Sequence, residues 1–202
     1  MKLHIASGNA HKLAEFRKLA AAAGTPVELA PVVFPPVAED SGSFEGNARI
    51  KALAAAACLP PDAWVLADDS GLCVDALGGA PGVESAYFAG PAGDPSANLA
   101  KLVAVMADVP DSLRAASFTC CLVLRGPNSA EEIFTGTCPG RLLRRPSGSG
   151  GFGYDPLFVP DGYTQSFASL GDTIKNRISH RAGAWARFHT WLVTKSLTGS
   201  AS

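Results

Sequence analysis

Asp68 and Asp69 are adjacent carboxylates at the end of an apolar run, Trp64-Val65-Leu66-Ala67, and are followed by Ser70 and Gly71. The run reads as a buried strand. Ending it on charge is costly unless a cation or another partner compensates. Side chains alternate along a strand, so if the strand persists Asp68 and Asp69 face opposite ways and only one enters a given cleft. A single Asp delivered in this way suits holding a divalent metal and activating a water. The same Asp-Asp-Ser-Gly also reads as a turn, because these residue types are common in turns.

Four further segments carry candidate chemistry. Ser7-Gly8-Asn9-Ala10-His11-Lys12 lies where a short first strand turns into a helix. Free N–H groups and the positive helix end make such a junction a phosphate cradle, and Lys12 adds a point charge. The segment is neither a Walker A loop nor GxGxxG, and simple helix capping remains the alternative. Glu39-Asp40 precede a helix that carries Lys51 two turns in. With Asp69 these carboxylates could complete an oxygen-only site for Mg2+, and Lys51 could reach a phosphate. The alternative is a solvated acidic loop and a surface lysine.

The run Gly148 to Pro156 sheds side chains where a ligand or backbone must come close. Within it, Phe152 and Tyr154 offer faces on which a flat base can stack. A flexible hairpin loop is the alternative. Finally, Lys175-Asn176-Arg177-Ile178-Ser179-His180-Arg181 precedes the last helix, with Ser179 as N-cap. His180 and Arg181 then sit in the first turn, where cations oppose the helix dipole. A local penalty of this kind points to a ligand site or to a solvated surface.

The elements that must position these residues follow from periodicity. Strands are expected at Leu3–Ala6, Val27–Val33 and Trp64–Ala67, with Leu72–Val74 beyond the Asp pair. Ala115–Leu124 and Glu132–Thr137 read as longer strands, Arg141–Leu143 as another, and Pro156–Val159 as a short one. Helices are expected at His11–Ala23, Phe44–Cys58, from Asp94 or Pro95 through Met106, and Ser179–Leu197, with an irregular stretch before the last. The early βαβ spacing and the later extended strands predict an α/β domain with a partly antiparallel lobe.

Composition bounds the partners. The 202 residues suit one domain, or one domain with a lobe, and 47% are hydrophobic. A net charge of −1 argues against a large basic nucleic-acid surface and polybasic membrane binding. The five cysteines lack CxxC spacing, so neither a disulfide framework nor a zinc site is expected, and they suit a reducing, cytoplasmic compartment. No window has the length of a membrane span, and the apolar part of the N-terminus is too short for a signal peptide.

Taken in order, the segments resemble one family. They are Ser-Gly-Asn-x-x-Lys at 7–12, Glu-x-Ser-Gly at 39–42, Phe-Glu-x-Asn-Ala at 44–48 and Ala-Asp-Asp-Ser-Gly-Leu at 67–72. Leu-Gly-Gly-Ala-Pro-Gly-Val at 77–83, Gly-Gly-Phe-Gly-Tyr-Asp-Pro at 150–156 and Ile-Ser-His-Arg at 178–181 complete the set. The pattern is similar to the inosine triphosphate pyrophosphatases, or dITP/XTP diphosphatases, along nearly the whole chain.

The resemblance implies an α/β fold with an elongated mixed central sheet and helices, two lobes flanking a nucleotide cleft, and a single domain over 1–202, usually in a homodimer. It implies Mg2+-dependent cleavage of ITP, dITP and XTP to the monophosphate and pyrophosphate, which removes them from the nucleotide pool. Asp69 is then metal ligand and general base, with Glu39 the second metal carboxylate. Ser7, Gly8, Asn9, Ala10, His11 and Lys12 would hold the triphosphate with Lys51 and Lys175, and Ser70 would touch the substrate. Phe152, Gly153, Tyr154 and Asp155, with His180 and Arg181, would hold the nucleoside end. Donors from Arg181, His180 and the loop N–H groups would favour a purine with a C6 carbonyl over adenine.

Two departures stand out. Gly46 occupies the place where many relatives have a second Glu, and Glu39 is followed by Asp40, which leaves open which of the two reaches the metal. If the Asp pair diverges, Asp68→Asn is expected to be milder for turnover than Asp69→Asn.

Overall fold

The computed structural model describes residues 1–198. Strand β1 (Lys2–Ala6) leads into helix α1 (Ala10–Ala23), and β2 (Glu28–Pro31) follows. Helix α2 (Phe44–Ala56) precedes β3 (Trp64–Val74), and α3 (Pro95–Val105) precedes the long strands β4 (Ala115–Arg125) and β5 (Glu131–Leu142). The short β6 (Phe158–Pro160) and helices α4 (Phe167–Ile178) and α5 (His180–Thr198) complete the order. The strands form one mixed sheet in the order β2-β1-β3-β4-β5-β6. β1 is parallel to β2 and to β3, whereas β5 and β6 are antiparallel.

The chain forms two compact units. One comprises Met1–Asp69, Cys120–Gly136 and the segment from Arg181 onward; the other comprises Ser70–Thr119 and Thr137–His180. In the first unit, strand alternation sends side chains into two cores. Leu3, Ile5, Leu66, Cys120, Leu122 and Leu124 pack with Phe16 and Leu19 of α1 and with Trp185 and Phe188 of α5. Ala6, Val65, Ala67, Cys121 and Val123 point the other way, onto Ala48, Ala52 and Ala55 of α2. The alanines recur at helical spacing and give α2 a flat face that can approach the strands closely. The second unit has its own core, in which Leu72, Val74, Phe118, Tyr154, Phe158 and Phe167 are buried with Leu102 of α3.

Four expectations are corrected. The Asp-Asp-Ser-Gly stretch does not end its strand, because β3 runs unbroken from Trp64 to Val74. The segments expected at Glu132–Thr137 and Arg141–Leu143 are one strand, whose even positions Phe134 to Leu142 are buried. β2 is shorter than Val27–Val33, and Val33 is exposed. The stretch expected to be irregular contains α4, which Ser166 caps by accepting from Ser169 N. Gly171 leaves helical dihedrals inside α4 (φ 76°, ψ 173°), which interrupts the period that would have marked the helix. Among the described residues no helix is long and apolar enough to cross a membrane.

Candidate active site

The parity of β3 separates the two carboxylates. Asp68 shares the face of Leu66 and therefore meets α1 and α5, whereas Asp69 shares the face of Val65 and Ala67 and meets α2. The structure bears this out. Lys12 Nζ lies 2.5 Å from Asp68 Oδ2, Arg181 Nη2 donates to the same oxygen at 3.5 Å, and Cys120 Sγ donates to Oδ1 at 3.0 Å. Arg181 also donates through Nη1 to Glu15, which lies one helical turn beyond Lys12 on α1. Lys12, Asp68, Arg181 and Glu15 thus form a chain of alternating charge. Burial opposes ionisation of Asp68, but the charges of Lys12 and Arg181 outweigh it and hold the carboxyl far below the usual range. Arg181, likewise opposed by burial, is raised by Asp68 and Glu15. The two carboxylates on Arg181 offset the dipole penalty that a cation in the first turn of α5 would otherwise incur.

On the other face, Lys51 Nζ donates to Asp69 Oδ1 at 2.8 Å and to Glu39 Oε2 at 2.7 Å. Asn47 Nδ2 donates to Asp69 Oδ2 at 3.3 Å. Burial pushes the Asp69 carboxyl up to about 6, only partly countered by the charge and hydrogen bond of Lys51. Burial pulls Lys51 down, but Asp69 and Glu39 more than restore it, so its ammonium is held above its ordinary range. Two carboxylates therefore converge on one cation. Glu39, rather than Asp40, is the acidic-loop residue that joins Asp69 at this point. An oxygen-only pair meeting at a positive charge fits a hard divalent ion such as Mg2+, which takes one or two carboxylates and completes its shell with waters and phosphates. Among the described residues no three His, Cys, Asp or Glu side chains cluster as a protein-only metal cage.

The phosphate-cradle segment is a helix start with a strong cap. Asn9 Oδ1 accepts from His11 N at 2.9 Å and Lys12 N at 3.3 Å, and Ser7 Oγ accepts from Asn9 N at 3.2 Å. Gly8, Asn9 and Ala10 are exposed, as is His11, while Ser70 is half-buried on β3. Capping and ligand access coexist here, although Asn9 already takes two of the amides that a phosphate would use.

In the second unit the glycine-rich loop closes on Asp155. Asp155 Oδ2 accepts from Phe152 N at 2.8 Å and from Lys175 Nζ at 2.6 Å. The ammonium of Lys175 lies 4.5 Å from the centroid of the Phe152 ring, a cation–π contact. Gly151 (φ +72°) must be glycine, because a Cβ there would lie 2.2 Å from Asp155 Oδ2. Phe152 and Gly153 are half-buried. Tyr154 corrects the expectation of an open stacking face. The residue is 5% exposed, within the core, and its hydroxyl donates to Ser85 O at 2.9 Å. His180 is buried and stacks on Phe118, with ring centroids 4.8 Å apart.

Three residues that hold the site together had no role in the sequence reading. Glu15 was signalled only by its spacing from Lys12. Asn47 lay inside the Phe-Glu-x-Asn-Ala block without a role, and Ser41 inside Glu-x-Ser-Gly. Gly46 has a steric setting in this chain: a Cβ there would lie 2.3 Å from Ser41 Oγ and 2.6 Å from Ser41 Cβ, so the Ser41 side chain would have to shift.

These features define an α/β protein with a carboxylate pair split across one strand, each half engaged by cations of the flanking helices. The Ham1 family profile matches residues 3–191, and the chain belongs to that family. It is 56% identical over 201 residues to the dITP/XTP pyrophosphatase of Opitutus terrae, covering 95% of this chain and 98% of that one. The dITP/XTP pyrophosphatase of Leifsonia xyli is 45% identical over 186 residues, covering 92% of each chain. The Staphylococcus aureus Ham1 protein superposes with a TM-score of 0.84 at 33% identity, over 96% of this chain and all (100%) of that one. The nucleoside-triphosphatase, dITP/XTP pyrophosphatase, of Mycobacterium abscessus gives 0.74 at 41% identity, over 93% and 97% of the two chains.

Proposed function

We propose that this chain hydrolyses non-standard purine nucleoside triphosphates, namely ITP, dITP and XTP, to the monophosphate and pyrophosphate. The observation that carries the reading is Asp69, buried on β3 with one oxygen on Lys51 and the other on Asn47. The names borne by relatives that match nearly end to end support the substrate class.

In this reading a water oxygen attacks the α-phosphorus, the bond from that phosphorus to the bridging oxygen breaks, and pyrophosphate departs. Asp69 takes the proton of the attacking water. Lys12 and Lys51 exchange part of their carboxylate pairing for phosphate oxygens, which neutralises charge on the triphosphate. Lys175 does the same from its pairing with Asp155. Asp69 and Glu39 would hold Mg2+, which supplies Lewis-acid stabilisation of phosphate charge. Ser7 to Lys12 cradle the phosphates and Ser70 touches the substrate. Arg181, His180 and the N–H groups of Gly153 and Tyr154 would present donors to the C6 carbonyl of the base, those of Phe152 and Asp155 being engaged within the loop. Tyr154 contributes by holding the loop rather than by stacking.

Hydrolysis in H2(18)O tests the chemistry. Label is expected in the nucleoside monophosphate, and label in pyrophosphate would place attack on the β-phosphorus instead. Asp69→Asn is expected to lower kcat by on the order of 10² or more while the protein stays folded. Near-normal turnover in that variant removes Asp69 as the base.

The reading extends to a cytoplasmic homodimer. All five cysteines are free thiols, as suits a reducing compartment, and the family resemblance supports the dimer. Light scattering that returns the 20.8 kDa of one chain would remove the dimer.

A further inference from the structure

Asn47 is 1% exposed, and its hydrogen bonds fix the orientation of its amide. Its Oδ1 accepts from Ser41 N at 3.1 Å and from Ser41 Oγ at 2.7 Å. A backbone N–H can only donate, so the atom facing Ser41 N must be the amide oxygen, and the amide nitrogen must face Asp69 Oδ2. The Ser41 hydroxyl has one proton for two acceptors, since it also lies 3.0 Å from Ser43 O, but the backbone bond alone fixes the amide. Asn47 and Lys51 stand four residues apart on α2 and each donates to a different oxygen of Asp69. Lys51 is a flexible ammonium shared with Glu39, whereas Asn47 is a fixed neutral donor. Gly46 leaves room for this: a Cβ at that position would lie 2.3 Å from Ser41 Oγ and 2.6 Å from Ser41 Cβ and would force Ser41 to shift.

We propose that Ser41 and Asn47 form a positioning relay for Asp69, enabled in this chain by glycine at position 46. Asn47 is a positioning residue, not a catalytic one. It sets the plane of the Asp69 carboxylate and leaves the oxygen shared with Lys51 to engage the reacting groups. The proposal rests on the reading of Asp69 as the base.

A double-mutant cycle with ITP tests it. Asn47→Ala is expected to lower kcat by about tenfold or more with little change in KM, the signature of a lost transition-state arrangement. In an Asp69→Asn background the same change is expected to have no further effect on kcat, because the group it positions is gone. Equal losses in both backgrounds would mean a general structural role and overturn the relay. Gly46→Ala, the second variant, is expected to lower kcat in the same way and non-additively with Asn47→Ala. A readout independent of turnover is the side-chain amide resonance pair of Asn47, which is expected to shift in Asp69→Asn and in Gly46→Ala. Unchanged resonances in both overturn the proposal. Near-normal turnover of Asp69→Asn with shifted resonances would instead overturn the base assignment and leave the hydrogen-bonded relay standing.

Discussion

Lys12 Nζ and Asp68 Oδ2 are 2.5 Å apart, and the Asp68 side chain has no solvent exposure. That carboxylate is therefore a fixed internal counter-charge for Lys12 and Arg181 and not a group offered to metal or water. Its removal acts on stability first. Breaking a buried pair from one side leaves the other charge unpaired, at a cost of about 3–5 kcal/mol. Asp68→Asn is expected to lower the urea midpoint by a corresponding amount, more than Asp69→Asn does. An unfolding free energy within about 1 kcal/mol of the parent would show that these buried charges do not hold the unit together. The sequence expectation that Asp68→Asn is the milder change then applies to chemistry alone.

Mg2+ should bind the nucleotide-free protein through Glu39 and Asp69. By calorimetry, Glu39→Gln and Asp69→Asn are each expected to weaken it by on the order of tenfold. Asp40→Asn should leave it unchanged. If Asp40→Asn has the larger effect, the wrong member of the acidic pair has been assigned.

Tyr154 and Cys138 share the core of the second unit, and their behaviour at alkaline pH follows from that. Burial pushes the Cys138 thiol up to about 11 and raises the Tyr154 phenol further. A group raised in the folded state contributes stability in full below its unfolded pKa, about 8.5 for Cys and 10 for Tyr, and loses it as pH rises through the folded value. Thermal stability should therefore fall progressively above about pH 8.5, first from the buried thiols Cys120, Cys121 and Cys138, all raised by burial, and then from Tyr154. Tyr154→Phe should flatten the part of the decline above pH 10. An unchanged alkaline profile in Tyr154→Phe would put the phenol in solvent after all.

Gly151→Ala probes the loop that ties Lys175. A positive φ at a non-glycine residue costs about 1–3 kcal/mol, and the added Cβ would displace Asp155. Stability should drop by about that amount, and KM for ITP should rise because Lys175 and Phe152 lose their common partner. A normal KM together with the stability loss would separate the Asp155 contact from substrate binding.

Much of this arrangement was legible in the chain. The alternation of β3 follows from Trp64-Val65-Leu66-Ala67 and already implies that Asp68 and Asp69 diverge, as they do. The caps at Asn9, Ser43 and Asp94 are ordinary helix-start chemistry, and the helices begin within a residue of expectation. What was not legible depends on contacts distant in sequence. Nothing local marks Glu15 as the partner of Arg181, since they lie 166 residues apart. Gly171 hid α4 by breaking its period, and Tyr154 looked exposed because it is embedded in glycines, although its hydroxyl reaches Ser85 O. Gly46 reads in the chain as a missing carboxylate, and its close approach to Ser41 depends on where that residue folds.

The most direct test of the account is a product and selectivity assay on the purified full chain with Mg2+. It compares kcat/KM for ITP, dITP, XTP, GTP and ATP while separating pyrophosphate from orthophosphate. The account predicts pyrophosphate and nucleoside monophosphate as the initial products. It also predicts ITP, dITP and XTP to be preferred over ATP by roughly 10²- to 10⁴-fold, the range expected when buried donors meet a carbonyl rather than an amino group. Stepwise release of orthophosphate, or ATP turned over as well as ITP, would contradict it.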